Sequence, residues 1–285
     1  MNTAEPISPY AKHALHDPAL YTVAECATGI AGGFDAITQT DLADYHAKGY
    51  LVIQDAFTPQ EVQDALDGMV HLVNGGVPQF RSIQFEAEAL DQLDTLTPEQ
   101  RQDAVRKLAW FSEFEPRLKA MSHHPKMLAL IASLLGNTPE MYQDQMLIKP
   151  PKLGREKPWH QDMAYFNLDK REQSIGIWIA LDETDVDNGC MHLLPQLGRE
   201  PIVHFQRRDW QLCDTLTFGQ PSIAVPLKPG GALVFDGMLV HGTPHNQSNK
   251  RRRAMQIHWH ANRFPKIPNE QRLETFGEEG RDVTC

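Results

Sequence analysis

Three residues of this chain have the chemistry of a metal site. His160 and Asp162 stand two apart in Pro158-Trp159-His160-Gln161-Asp162, and a further histidine follows much later in Val240-His241-Gly242. Two imidazoles and one carboxylate on one face of an ion leave coordination positions open, an arrangement suited to non-haem Fe(II) and its oxygen chemistry. His-x-Asp alone is a weak signal, because a spacing of two arises by chance. A strand would give it meaning. Residues i and i+2 point to the same side, so His160 and Asp162 can share an ion while Gln161 faces away. The third donor must come from a distant strand, which a closed barrel can bring alongside. Zinc is the competing metal, but hydrolytic zinc sites more often show three histidines or His-Glu-x-x-His on a helix. That helical pattern is absent from this sequence.

The elements around these residues divide into two styles. Residues 1–36 carry Pro, Gly and small polar residues without sustained periodicity and read as an irregular N-terminal arm. Asp41–Lys48 reads as a short helix ended by Gly49, and Tyr50–Ile53 as a strand. Thr58-Pro59-Gln60-Glu61 is a capping box with proline at the first helical position, opening a helix to about Val73. Thr97-Pro98-Glu99-Gln100 repeats the device before a helix expected to reach about Trp110. His124–Leu135 is a third helix stopped by Gly136. From Tyr142 to Ala261 short strands alternate with Pro/Gly/Asn/Asp turns. Helices first and antiparallel strands afterwards predict an α+β chain. Its expected form is one domain over 37–285, a double-stranded β-helix (jelly-roll or cupin-like barrel, core about 142–262) with N-terminal covering helices. In Ser174–Leu181, Ile175, Ile177, Ile179 and Leu181 share one face, to pack against helices. Gly176, Trp178 and Ala180 share the other, toward a cavity. A sandwich strand buried on both faces has the same alternation.

Composition narrows the function classes. The chain has 285 residues, 41% hydrophobic and 22% charged, with a net charge of −10. Such an acidic balance argues against general affinity for nucleic acid or an anionic membrane surface. No apolar run approaches the length of a membrane span, and the N-terminus lacks signal-peptide features, so a cytoplasmic location is expected. Cys26, Cys190, Cys213 and Cys285 lack CxxC spacing, which indicates neither a zinc knuckle nor a disulfide framework. Oligomeric state is left open.

Residues 142–261 resemble the phytanoyl-CoA dioxygenase family of Fe(II)/2-oxoglutarate oxygenases. The matching pieces run in order: Tyr142-Gln143-Asp144-Gln145, Lys149-Pro150-Pro151, Lys157-Pro158-Trp159-His160-Gln161-Asp162 and Trp178. Asp187-Asn188-Gly189-Cys190-Met191, Pro229-Gly230-Gly231, His241-Gly242 and Arg251-Arg252-Arg253-Ala254 follow. The resemblance implies iron on His160, Asp162 and His241, with 2-oxoglutarate as co-substrate and dioxygen as oxidant. Its distal carboxylate would lie against Arg252, where a guanidinium can form two parallel hydrogen bonds. On a strand starting near Arg252, Ala254, Gln256 and His258 share that face. A one-residue slip would present Arg253 instead. Similarity also places Trp178 and Gln145 beside the co-substrate, and Lys107 as a further carboxylate contact, although an exposed helix lysine is an equal reading there. One departure stands out: where many relatives carry Pro-Gly-Ser-His, this chain has Pro195-Gln196-Leu197-Gly198-Arg199, in a loop that usually borders the substrate entrance.

The expected function is hydroxylation of a small or medium-sized organic molecule, with 2-oxoglutarate decarboxylated to succinate and CO2. Halogenating relatives have a small residue at the position of Asp162, so the carboxylate favours hydroxylation. The alternatives are a cupin-like metal-binding protein without turnover, and a metal-dependent isomerase or hydrolase that does not use 2-oxoglutarate. His258 is expected as a core or supporting hydrogen-bonding group, Cys190 as a small buried residue, and Asp236 as a turn carboxylate.

Overall fold

The structure, a computed structural model, describes residues 16–277. Residues 1–15 of the expected arm, and residues 278–285 with Cys285, lie outside them. Strand β1 (Thr22–Cys26) precedes helix α1 (Gln39–Lys48) and β2 (Tyr50–Ile53). Then come α2 (Pro59–Val73), β3 (Ile83–Phe85), α3 (Pro98–Asp103), β4 (Val105–Ala109), α4 (Pro116–Ser122) and α5 (Pro125–Leu135). Mostly strand follows: β5 (Glu140–Lys149), β6 (Lys157–His160), β7 (Ser174–Ala180), β8 (Met191–Leu193), β9 (His204–Gln206) and β10 (Trp210–Leu212). A short helix α6 (Asp214–Thr217) leads to β11 (Pro221–Val225), β12 (Ala232–Asp236), β13 (His241–Thr243) and β14 (Arg252–His260), before helix α7 (Asn269–Phe276).

Local chemistry explains the helix starts. Capping boxes form at Thr38/Asp41, Thr58/Glu61 and Thr97/Gln100, each typically worth about 1 kcal/mol at the cap. Gly49 ends α1 in the left-handed region, at φ 83°. The helix expected to run to Trp110 is corrected: it stops at Asp103, and the next residues are β4, paired with β3 and β5. Buried Val105 and Leu108 anchor that strand, and partners distant in sequence override the local helical pattern. The irregular arm is corrected over Thr22–Cys26, which pairs in parallel with β11.

Two sheets face each other as a jelly roll. The larger has the order β2-β12-β7-β14-β5-β4-β3, the smaller β1-β11-β8-β13-β6. They do not close into a barrel. On β7, Ile175, Ile177 and Ile179, with Leu181 beyond it, pack against α2, α4 and α5 through residues such as Leu72, Leu118 and Ile131. Trp178 and Ala180 take the opposite face, buried against Met191 and Leu193 of the smaller sheet. Both faces of β7 are therefore buried. Gly176 is required there, because a Cβ would come within 2.3 Å of the Phe235 ring. That ring in turn sits 4.7 Å from the His241 ring.

Candidate active site

The smaller sheet brings the distant histidines together. Strands β6 and β13 pair directly, and His160 and His241 are partners in their register. Direct pairing within one sheet thus does what a closed barrel was expected to do. β6 ends at His160, yet Gln161 keeps an extended backbone (φ −113°, ψ 130°), so Asp162 falls on the same side as His160 at the start of a 3-10 turn. Gln161 faces away. Its amide donates to Met238 O at 2.7 Å and Glu200 O at 2.8 Å, and its carbonyl accepts from Ile202 N at 2.8 Å.

One donor atom from each of His160, Asp162 and His241 lies within 4.8 Å of the others, and all three residues are buried. Backbone carbonyls orient the imidazoles: Nδ1–H of His160 donates to Pro158 O and that of His241 to Leu239 O, both at 2.8 Å. Each Nε2 is then a lone-pair donor facing the carboxylate, at 3.4 Å for His160 and 3.5 Å for His241. Burial pushes the His241 imidazole down to about 3, keeping it neutral. Burial alone would raise the Asp162 carboxyl, but His258, through its hydrogen bond, helps hold it well below its ordinary value. Two imidazole nitrogens and one carboxylate oxygen, without sulfur, fit a ferrous ion.

Asp162 is held by a network that the sequence placed only by face. His258 Nε2 lies 2.7 Å from Oδ2, and the Gln256 amide donates to the same oxygen at 3.1 Å. Gln143 Nε2 lies 3.2 Å from His258 Nδ1, so Nδ1 accepts and Nε2–H is the donor to Asp162. The alternation of Arg252, Ala254, Gln256 and His258 was the available signal.

A cavity of about 440 Å³ opens over the three residues. Arg252, Gln145 and Lys107 all line it. Arg252 is buried, donates to Leu147 O at 3.3 Å, and leaves Nε without a partner. Its neighbours are engaged elsewhere: Arg253 forms a two-pronged pair with Asp182 at 2.8 and 2.7 Å, and Arg251 pairs with Asp103 and Glu99. A buried guanidinium with so little compensation fits an anionic group. Burial depresses it to about 10. Trp178 is corrected in one respect: it does not line the cavity, but packs 5.5 Å from the Arg252 guanidinium with its indole N–H unpartnered. Lys107 sits on β4, not on an exposed helix, and burial lowers it. Sequence reading missed Lys149, the register partner of Arg252 across β5 and β14, which lines the cavity and donates to the carbonyls of Thr243 and Pro244.

Other expectations resolve by contact. Asp236 accepts from Met238 N and pairs with Arg199, touching no imidazole nitrogen. The Pro195–Arg199 segment does not line the cavity, and Arg199 instead donates to His46 O at 2.6 Å. From the segment after it, Asp209 alone reaches the lining. Cys190 is buried, its thiol pushed up to about 12 by burial. No helix among the described residues is long and apolar enough to cross a membrane.

A family model for phytanoyl-CoA dioxygenase (PhyH) matches residues 45–254. A phytanoyl-CoA dioxygenase of Arabidopsis thaliana is 26% identical over 263 residues, covering 81% of this chain and 90% of its own length. A phytanoyl-CoA dioxygenase domain-containing protein 1 of Danio rerio is 23% identical over 269 residues, covering 79% and 90%. Among solved structures, the non-heme alpha ketoglutarate dependent carbocyclase SnoK from nogalamycin biosynthesis superimposes with a TM-score of 0.65 at 19% identity, over 89% of this chain and 98% of that one. EctD from S. alaskensis in its apoform gives 0.64 at 20% identity, over 93% and 87%. At such identities these structures bear on the fold, which they support as a jelly roll. With most of its length matched, this chain belongs to the phytanoyl-CoA dioxygenase family.

Proposed function

We propose that this oxygenase hydroxylates a small or medium-sized organic molecule, using Fe(II), 2-oxoglutarate and dioxygen and releasing succinate and CO2. His160, Asp162 and His241 are the proposed iron ligands. Bound there, the iron with its co-substrate supplies the oxidation of a C–H bond. The chain's own residues prepare the place. The carbonyls of Pro158 and Leu239 hold both imidazoles in the ligating tautomer, while His258 and Gln256 fix the carboxylate. Arg252 is proposed to anchor the distal carboxylate of 2-oxoglutarate, with Trp178 packed against its guanidinium. Gln145 and Lys107 are proposed as further co-substrate contacts. Phe166 and Met191, both buried, line the same cavity and keep it partly dry.

One observation carries this reading: three metal-donor side chains and an under-partnered buried guanidinium line a single cavity. A cupin-like binding protein has no need of the guanidinium, and an isomerase or hydrolase has no need of a keto acid. Adding Fe(II) and 2-oxoglutarate without air should produce a weak visible charge-transfer band, and admitting air should produce succinate. Absence of both would refute the proposal. Structural neighbours include a carbocyclase and an epimerase, so the product must be weighed as well: gain of one oxygen supports hydroxylation, and loss of two hydrogens or inversion at carbon contradicts it.

A further inference from the structure

The cavity is lined mostly by polar and charged residues, with cations in excess, in an acidic chain. Leu147, Ile148, Phe166 and Met191 supply its apolar lining, and nearly everything else there carries charge or an amide. At the open end, Arg106 lies 3.8 Å and Lys157 2.8 Å from the same Asp209 carboxylate, with each of these three side chains about a quarter to a third exposed. Arg155 is neutralised by Glu86, and Glu156 by Arg208 outside the cavity. Among the described residues, Lys107 has no hydrogen-bond or ion-pair partner, and neither the Gln84 nor the Gln145 side-chain amide has a hydrogen-bond partner.

The inference rests on the metal and co-substrate reading above. Leaving Lys149 aside, the lining holds five cations (Arg106, Lys107, Arg155, Lys157, Arg252) against four carboxylates (Glu86, Glu156, Asp162, Asp209). A divalent ion raises the surplus from one positive charge to three. The two carboxylates of 2-oxoglutarate return it to one, and Arg208 beside Glu156 adds another. One or two negative charges are still wanted. An alkyl chain would strip water from Gln84, Arg106 and Lys157, which the co-substrate does not engage, and give no hydrogen bond in return. We infer that the primary substrate is a small polar anion bearing a carboxylate or phosphate, seated by Arg106 and Lys157 at the cavity's open end, and not a long-chain acyl compound. A charged mouth over a partly desolvated floor also concentrates such an anion from solution.

The test uses the full chain loaded anaerobically with Fe(II) and saturating 2-oxoglutarate, with the visible band as the report on the co-substrate. Inorganic phosphate, acetate and 1-decanol are titrated separately by calorimetry. Either anion binding in the millimolar range with the band retained supports the inference, as does affinity about tenfold weaker in Arg106→Gln; the phosphate and acetate arms distinguish the two headgroups. Arg106 is partly exposed, so this variant should fold, and its melting curve checks that. No anion binding up to roughly 100 mM overturns the inference. So does unchanged affinity in Arg106→Gln, bleaching of the band by the anion, or tighter binding of 1-decanol. Absence of the band before any anion is added overturns the co-substrate reading as well.

Discussion

Replacing Arg252 with Met should move stability and ligand binding in opposite directions. The guanidinium is 2% exposed and, among the described residues, makes one hydrogen bond, to Leu147 O, and leaves Nε unpartnered. A buried charge with so little compensation costs several kcal/mol, and an apolar side chain of similar volume removes that cost. Without 2-oxoglutarate, Arg252→Met should therefore gain about 1–3 kcal/mol, seen as a rise in Tm of roughly 2–4 °C per kcal/mol. The co-substrate reverses the order. Losing one partner of a buried charge pair costs about 2–5 kcal/mol, so Kd for 2-oxoglutarate should rise by roughly thirtyfold to several thousandfold. Scanning calorimetry under nitrogen, with Fe(II) and increasing 2-oxoglutarate, reads both effects. Wild type should gain about 2.7 kcal/mol when the ligand stands at a hundred times its Kd, while the variant gains less than about 1 kcal/mol over the same range. A variant that melts lower without ligand, yet still binds it like wild type, would show that Arg252 is structural and does not anchor the co-substrate.

Three further outcomes follow from particular contacts. His258→Phe removes the donor 2.7 Å from Asp162 and should weaken ferrous iron binding by about 10- to 100-fold; an unchanged titration would deny His258 a positioning role. Glu115 pairs with Arg117 and His71, and the Arg117 hydrogen bond foremost holds its carboxyl down to about 2 from an ordinary 4.5. A carboxylate lowered on folding stabilises fully above its unfolded value and loses that effect as pH falls toward the folded one. Glu115→Gln should thus lower Tm at pH 7, with the gap to wild type closing between about pH 4.5 and pH 2; a gap constant with pH would contradict this. Exposed Cys26 should be alkylated by iodoacetamide at pH 8 while buried Cys190, its thiol pushed up to about 12, stays protected until the chain unfolds. Equal labelling of both in the folded protein would count against the burial of Cys190.

Short-range chemistry made much of the fold legible. The capping boxes at Thr58 and Thr97 start helices where the side-chain spacing says they should, and Ile175, Ile177 and Ile179 face the helices as their alternation requires. Period two likewise brings His160 beside Asp162 and puts Arg252, Gln256 and His258 on one face. What the sequence hid depends on partners far along the chain. Thr22–Cys26 is exposed throughout and has no alternation to betray it, since its reason to be a strand is β11, two hundred residues away. Residues 105–109 follow a capped helix, and only pairing with β3 and β5 makes them extended, which turns Lys107 into the cavity. Trp178 was expected at the cavity wall, but Arg252 covers it, a matter of side-chain layering that strand periodicity does not encode. His258 was legible as a supporting group, whereas its hold on one oxygen of Asp162 required the crossing of β14 with the turn after β6.

X-ray absorption at the iron edge, on the chain loaded with ferrous iron under nitrogen, reads the proposed ligands His160, Asp162 and His241 directly. One ion per chain is expected, with two imidazole nitrogens among otherwise oxygen donors, and stoichiometric binding should be lost in His241→Ala. Sulfur or a single imidazole in the first coordination sphere, or full binding retained when His241 and Asp162 are both replaced by Ala, would contradict that ligand set.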